Sequence, residues 1–250
     1  MKYLGSKRKI ANEIIPIMTK DLKDGGYFVD AFCGGCNLID KVPNNFNKIA
    51  NDNNVYLIEM FKGLQNGVDF PEYIPRDYYV DVRNAYNNRD DSKYNKGLIG
   101  WVGFVASNNG RFFDGGYSGH EVVNKGNKIR DYIKGTIKTF KKQFPLLKDI
   151  DFRSGSYDEI DLPKPNETVI YCDIPYKGVK QYTTSRHFDY EKFYNWCRQK
   201  AKEGYKIFIS EYEMPNDFKC IWAKEVNCAV HREKTIARVE KLFTLSKNTL

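Results

Sequence analysis

Histidine is scarce in this chain. Only His120, His187 and His231 occur in 250 residues, which leaves little material for a Ser-His-Asp triad or a zinc hydrolase site. No apolar run is long enough to span a bilayer. The opening Met1-Lys2-Tyr3-Leu4-Gly5-Ser6-Lys7 lacks a signal-peptide apolar core. There is no internal repeat and no low-complexity tail. The six cysteines, at positions 33, 36, 172, 197, 220 and 228, do not form a framework. Cys33-Gly34-Gly35-Cys36 has C-x-x-C spacing, but no second pair follows to complete a zinc site. These absences predict a soluble, intracellular protein with free thiols, no metal and no membrane partner.

What is present describes an ordinary globular chain, 41% hydrophobic and 29% charged. Its length suffices for one large domain or a domain carrying an insertion. A net charge of +8 suits a polyanionic partner, and 15% aromatic residues supply rings that can stack on bases.

The most informative stretch is Val169-Ile170-Tyr171-Cys172-Asp173-Ile174-Pro175-Tyr176. Its apolar, β-branched run reads as a buried strand that stops at an acid, after which proline forbids further ladder pairing. Ligands of open α/β sheets bind at such strand ends. Asp173 and the Ile174 carbonyl are acceptors, and Tyr176 offers a flat face. Together they suit a planar molecule with an exocyclic amino group. The plainer alternative is an acid that caps a turn.

A second strand, Tyr27-Phe28-Val29-Asp30-Ala31-Phe32, runs into Cys33-Gly34-Gly35-Cys36-Asn37. Glycines after a strand let the backbone approach a ligand closely. About twenty residues on, Lys48-Ile49-Ala50-Asn51-Asp52 ends in an acid at the spacing that doubly wound folds use for ribose hydroxyls. Asp52 also fits a helix N-cap before Val55. Residues 61–120 break the alternation with prolines, tyrosines and asparagines. Leu98-Ile99-Gly100-Trp101-Val102-Gly103-Phe104-Val105 fits either a glycine-softened helix or a strand. Residues 107–117 suit a hairpin or loop that presents Arg111 and side-chain amides to base edges, or a plain surface loop. Residues 125–143 read as a helix with Ile129, Tyr132, Ile133, Ile137 and Phe140 on one stripe and lysines, Lys128 among them, off it. Residues 150–152, 206–210 and 239–245 read as strands, and Phe193, Trp196, Cys197, Lys200 and Ala201 have helical spacing. Alternation in both flanks with an irregular middle predicts a doubly wound α/β sheet interrupted by an insertion.

Taken in order, these motifs resemble the DNA adenine methyltransferases of the Dam type (D12 class, alpha group). Lys2-Tyr3-Leu4-Gly5-Ser6-Lys7, Asp30-Ala31-Phe32-Cys33-Gly34-Gly35, Asp52, Asp151-Phe152 and Asp173-Ile174-Pro175-Tyr176 carry the likeness, which spans nearly the whole chain. Ser210-Glu211-Tyr212 and Arg238-Val239-Glu240-Lys241-Leu242 also align with family positions.

The resemblance implies a Rossmann-like methyltransferase sheet built from 1–60 and 145–250, with an inserted, largely helical target-recognition domain at 61–144. It implies transfer of a methyl group from S-adenosylmethionine to N6 of an adenine flipped out of double-stranded DNA, by a monomer in the cytoplasm of a bacterial or phage-infected cell. Asp173, Ile174, Pro175 and Tyr176 are then catalytic. Tyr3, Lys7, Asp30, Phe32, Gly34, Gly35, Asp52, Asp151, Phe152 and Asp173 are expected at the cofactor. Asn108, Asn109, Arg111, Lys128 and Tyr182 are expected at the DNA.

Two positions depart from the family pattern. Ile174 stands where the first catalytic proline is usual, and Cys36-Asn37 where Gly-Ser is usual. The acceptor pair serves any exocyclic amine, so cytosine N4 or RNA is the alternative target. A catalytically silent nucleic-acid-binding module is the alternative class.

Overall fold

The computed structural model describes residues 1–3, 5–123, 126–178, 188–231 and 234–245, and at 227–231 and 234–237 the backbone alone. In chain order the elements are α1 (Ala11–Thr19), β1 (Tyr27–Asp30), β2 (Asn47–Asp52), α2 (Val55–Gln65), α3 (Arg76–Asn87), α4 (Lys96–Val105), β3 (Val122–Val123), β4 (Ile129–Arg130) and α5 (Tyr132–Gln143). β5 (Ile150–Ser154), β6 (Thr168–Asp173), α6 (Tyr190–Lys202), β7 (Lys206–Ser210), β8 (Phe218–His231) and β9 (Lys234–Leu245) follow.

Seven strands form one sheet in the order β5-β2-β1-β6-β7-β9-β8, while β3 and β4 pair as a separate hairpin. β6 runs parallel to both β1 and β7, and β9 runs antiparallel to β7 and β8. From β1 the chain steps outward through β2 to β5, then returns to the other side of β1 for β6 and β7. That reversal makes the gap between the ends of β1 and β6 a topological switch point, where open α/β sheets bind ligands. No helix among the described residues is long and apolar enough to cross a membrane.

The chain divides into two compact units. The first comprises Met1–Ala11, Cys33–Lys41 and Ala50–Ser156, and the second Asn12–Phe32, Val42–Ile49 and Tyr157–Leu250. In the second, β6 is buried through Cys172, which explains its unbroken apolar sequence. Val29, Ile170, Cys172, Phe193, Cys197, Ile207 and Ile209 share one core. α6 packs Phe193, Tyr194 and Cys197 into it and ends before Gly204, whose φ of +98° suits the residue after a helix.

In the first unit the stretch 98–105 is a helix, with the Asn95 side chain accepting from Leu98 N to cap it. Gly97, Gly100 and Gly103 recur at every third position. A Cβ at Gly100 would fall 2.0 Å from the Tyr56 carbonyl oxygen, so α4 lies against α2 by contact that only glycine permits. This packing, rather than propensity, decides between helix and strand.

The helix expected over 125–143 begins later. Asp131 caps α5 by accepting from Lys134 N, and Ile129 belongs to β4, where it is exposed. Its helical spacing from Ile133 is coincidental. His120 Nδ1 lies 2.7 Å from the other Asp131 oxygen, and Nε2 accepts from Ile74 N, which ties the hairpin base to the segment before α3.

Candidate active site

In the second unit β6 delivers Asp173 beside Ser210 of β7. The side chain of Ile174 is 2% exposed and joins the core around Ile170 and Cys172. The position that lacks the family's proline is thus fixed by burial. The Tyr190 hydroxyl, at the start of α6, donates to the Pro175 carbonyl at 2.9 Å.

Tyr176 comes next, and its hydroxyl donates to Glu240 Oε2 at 2.7 Å. Its ring meets that of Tyr212 edge to face, 4.5 Å between centroids. Arg238 donates to the Tyr212 hydroxyl at 3.2 Å. Glu211, 1% exposed, accepts from Lys177 N at 3.0 Å and from Tyr212 N at 2.6 Å. Burial, with Asp173 and Glu240 adding negative charge nearby, pushes the Tyr176 phenol well above its usual pKa. The hydroxyl therefore stays protonated as a donor. The stretches containing Glu211 and Glu240 belong to the family resemblance, but their partners Lys177 and Tyr176 lie far from them in sequence.

At β1, Asp30 is buried, and Phe32 stacks on Tyr157 at 5.4 Å with Phe188 and Phe193 at its edges. Phe32 is thus part of an aromatic cluster that borders the strand end.

In the first unit, Cys33 N donates to Asn51 O and Cys36 N to Cys33 O, closing the glycine loop as a tight turn. Gly34 has φ +44°, and Cβ atoms at Gly34 and Gly35 would each lie 2.6 Å from Tyr3 side-chain atoms. Tyr3 therefore occupies the space that the two glycines leave. Cys36 adopts φ +55°, a left-handed conformation that costs a non-glycine residue of order 1 kcal/mol. The cost is met by buried Gln143 of α5, whose amide donates to Gly35 O at 3.0 Å and Cys36 O at 3.2 Å. The Met1 amine donates in turn to Gln143 Oε1. Lys7 is buried, with Nζ donating to Gly5 O at 3.1 Å.

Asp52 corrects one expectation. The cap of α2 is Asn54, which accepts from Tyr56 N and Leu57 N. Asp52 instead accepts from Gly34 N at 3.0 Å and Asn54 N at 2.9 Å, which fixes the acid to the glycine loop. Burial raises its carboxyl above the usual range, and these two N–H groups partly offset the rise. Phe152 stacks on Phe61 at 4.8 Å in the core, whereas Asp151 is exposed and grips Arg153 at 2.7 Å.

The loop 107–117 is also in this unit. Ser107 bridges to Tyr117, and Ser107 Oγ accepts from Phe113 N. Asn108 donates to the Gly115 and Tyr117 carbonyls, so its amide shapes the loop. Asn109 is exposed at φ +57° and Arg111 half-buried. Phe112 and Phe113 pack among Tyr56, Tyr79, Tyr86 and Phe104, so these aromatics hold the loop. Lys128 is exposed beside β4. Tyr182 lies outside the described residues.

The first-unit residues fit a nucleoside cofactor on the evidence of their own geometry. Gly34 and Gly35 carry no side chain of their own, Tyr3 lies against them, and a carboxylate keeps part of its acceptor capacity after two hydrogen bonds. The buried Asn37 Nδ2 has no hydrogen-bond partner among the described residues.

A glycine loop follows β1, an acid ends β2 and Asp173 ends β6 at the switch point of an open α/β sheet. The chain belongs to the D12 class N6 adenine-specific DNA methyltransferases, whose family model matches residues 3–235. The type II methyltransferase M.MjaIII of Methanocaldococcus jannaschii is 23% identical to it over 94% of each chain. Among solved structures, a conserved hypothetical protein of Streptococcus pyogenes is 8% identical, covering 93% of this chain and 94% of its own, with a TM-score of 0.38. PH1948, a candidate RNA methyltransferase from Pyrococcus horikoshii, is 10% identical over 94% of this chain and 82% of its own, with a TM-score of 0.39.

Proposed function

We propose that the chain binds S-adenosylmethionine through the glycine loop and Asp52, and uses the strand end at Asp173 to methylate N6 of an adenine swung out of double-stranded DNA. Tyr3, Lys7, Asp30, Phe32, Gly34, Gly35 and Asp52 hold the cofactor, with Asp151 and Phe152 beside its adenine and Asp52 accepting from its ribose hydroxyls. When bound, S-adenosylmethionine supplies a methyl group made electrophilic by the sulfonium.

Adenine's exocyclic amine is a weak nucleophile because its lone pair is delocalised into the ring. Asp173 and the Ile174 carbonyl accept its two N–H groups, which favours a tetrahedral nitrogen and frees the lone pair for in-line attack. Pro175 ends the strand so that both acceptors face outward. Tyr176 stacks on the extruded base, which offsets part of an unstacking cost of a few kcal/mol.

Residues 61–144 act as the target-recognition segment. Asn109, Arg111 and Lys128 are its DNA contacts, Asn108 shapes its loop, and Tyr182 contacts DNA from outside the segment. The enzyme works as a cytoplasmic monomer.

The observation that carries this reading is the acid at the end of β6 followed by a buried, hence fixed, Ile174. The test is Asp173→Ala. Transfer of labelled methyl groups to unmethylated DNA falls at least ~100-fold, of the order expected for loss of an essential catalytic contact. DNA affinity stays within about threefold, and digestion of wild-type product yields N6-methyladenine. N4-methylcytosine in that digest, or equal transfer by mutant and wild type, overturns it.

A further inference from the structure

We infer that Glu240 and Glu211 are positioning residues of the catalytic turn. They hold Tyr176 and Lys177, the two residues that follow the Ile174-Pro175 step. The inference rests on the reading of Asp173–Tyr176 as the methyl-transfer site.

The family's Pro-Pro turn removes backbone freedom covalently. Here the first of those positions is Ile174, whose buried side chain fixes one end of the turn. Beyond Pro175 nothing covalent restrains the chain, and two carboxylates from elements far along the sequence take over. Glu211, immediately after β7, accepts from the Lys177 backbone N–H and its own neighbour Tyr212 N. Glu240 of β9 accepts from the Tyr176 hydroxyl. One acid thus restrains the backbone of the turn and the other the ring.

A ring anchored at its hydroxyl and braced edge to face by Tyr212 has few orientations left. Stacking on a base then requires little further ordering of Tyr176, an entropic cost removed before the substrate arrives. Arg238 extends the arrangement by donating to Tyr212, the ring that does the bracing.

The two acids differ in what a conservative change does. Glutamine at 240 keeps an oxygen that can accept from the Tyr176 hydroxyl. Glutamine at 211 faces two N–H donors with only one oxygen, so its amide opposes one of them.

The experiment is a double-mutant cycle on methyl transfer with Glu240→Ala and Tyr176→Phe, which retains the ring. Each single change is expected to lower kcat about tenfold, with the KM for S-adenosylmethionine within twofold. The double mutant is expected to be no slower than the slower single one. Glu240→Gln is expected to recover most of kcat. Independent, multiplicative losses in the cycle overturn the role of Glu240.

Amide hydrogen exchange of the free protein supplies the readout that does not need catalysis. Glu211→Gln is expected to raise exchange at Lys177 about tenfold without a change in β6. Unchanged exchange at Lys177 overturns the role of Glu211. If the wild-type enzyme transfers no methyl group to adenine, the assigned reaction fails, while the exchange result still decides whether the acid fixes the turn.

Discussion

The loop after β1 and the turn after β6 are both short and both depart from the family pattern, yet they are fixed by different chemistry. Residues 33–37 are shaped mainly by sterics and neutral amides, with one carboxylate, Asp52, on Gly34 N. Tyr3 fills the space above two glycines, and Gln143 satisfies the carbonyls of the strained half. Residues 174–177 are shaped by an aliphatic anchor and anionic acceptors, Ile174 on one side and Glu211 and Glu240 on the other. The contrast matches the work assigned to each. In the proposed reaction the first loop approaches a cofactor closely, for which glycine suits, and the second handles a neutral base, which tolerates fixed charges behind it. It also means that the two loops fail differently when perturbed.

The largest expected effect is at the glycine loop. Gly34→Ala adds a Cβ at φ +44° and 2.6 Å from the Tyr3 ring. Cofactor affinity by calorimetry should fall by about 1–3 kcal/mol, roughly 5- to 150-fold, from backbone strain alone. DNA affinity without cofactor should hold. Unaltered cofactor binding would remove the cradle role and with it the comparison.

Gln143→Leu tests the neutral side of the contrast. It leaves two buried carbonyls without their donor, at about 1–2 kcal/mol. A rise in cofactor Kd of roughly 5- to 30-fold should appear, with the preferred DNA site unchanged. A loss confined to DNA binding would instead make α5 a nucleic-acid element only.

The smallest effect is a displacement on the pH axis. In the proposed site Asp52 accepts from ribose hydroxyls as well as from Gly34 N, and it does so more strongly when ionised. Because burial raises its pKa, acidification protonates it before an ordinary aspartate. Cofactor KM should therefore climb as pH falls, from a point above the usual 3.8. The ionised acid is disfavoured by folding, so this residue adds no stability at neutral pH, and the climb should occur while the protein remains folded. Asp52→Asn should bind weakly with a flat profile over the same range. A wild-type profile that breaks only together with thermal stability would assign the effect to unfolding.

The end of β6 was legible in the sequence because burial on both faces writes a continuous apolar run, and an acid and a proline mark its stop. The glycine loop and Asp52 were legible through spacing. The 125–143 helix was misread at its start because Ile129 fell in phase with the true stripe by chance. The nature of 98–105 was undecidable, since its glycines weaken both readings until α2 is known to lie against them.

Side chains that act at long range left less trace. Gln143 sits 108 residues from Gly35, and Glu240 sits 64 from Tyr176. A lone amide or acid within a periodic segment looks like surface until its partner is known. The packing of the aromatics of 107–117 left no trace in the sequence for a related reason. A ring's chemistry suits stacking on bases and packing in a core equally well, and only burial separates the two.

Gln143 also bears on how enzymes of this kind can be recombined. It closes α5, the last helix of the segment assigned to target recognition, yet its amide shapes the glycine loop. An exchange of residues 61–144 with a relative's segment would discard this amide. A crossover drawn before Asp131 keeps it. A transplant that keeps the glycine loop's amide therefore ends before α5 and not after it.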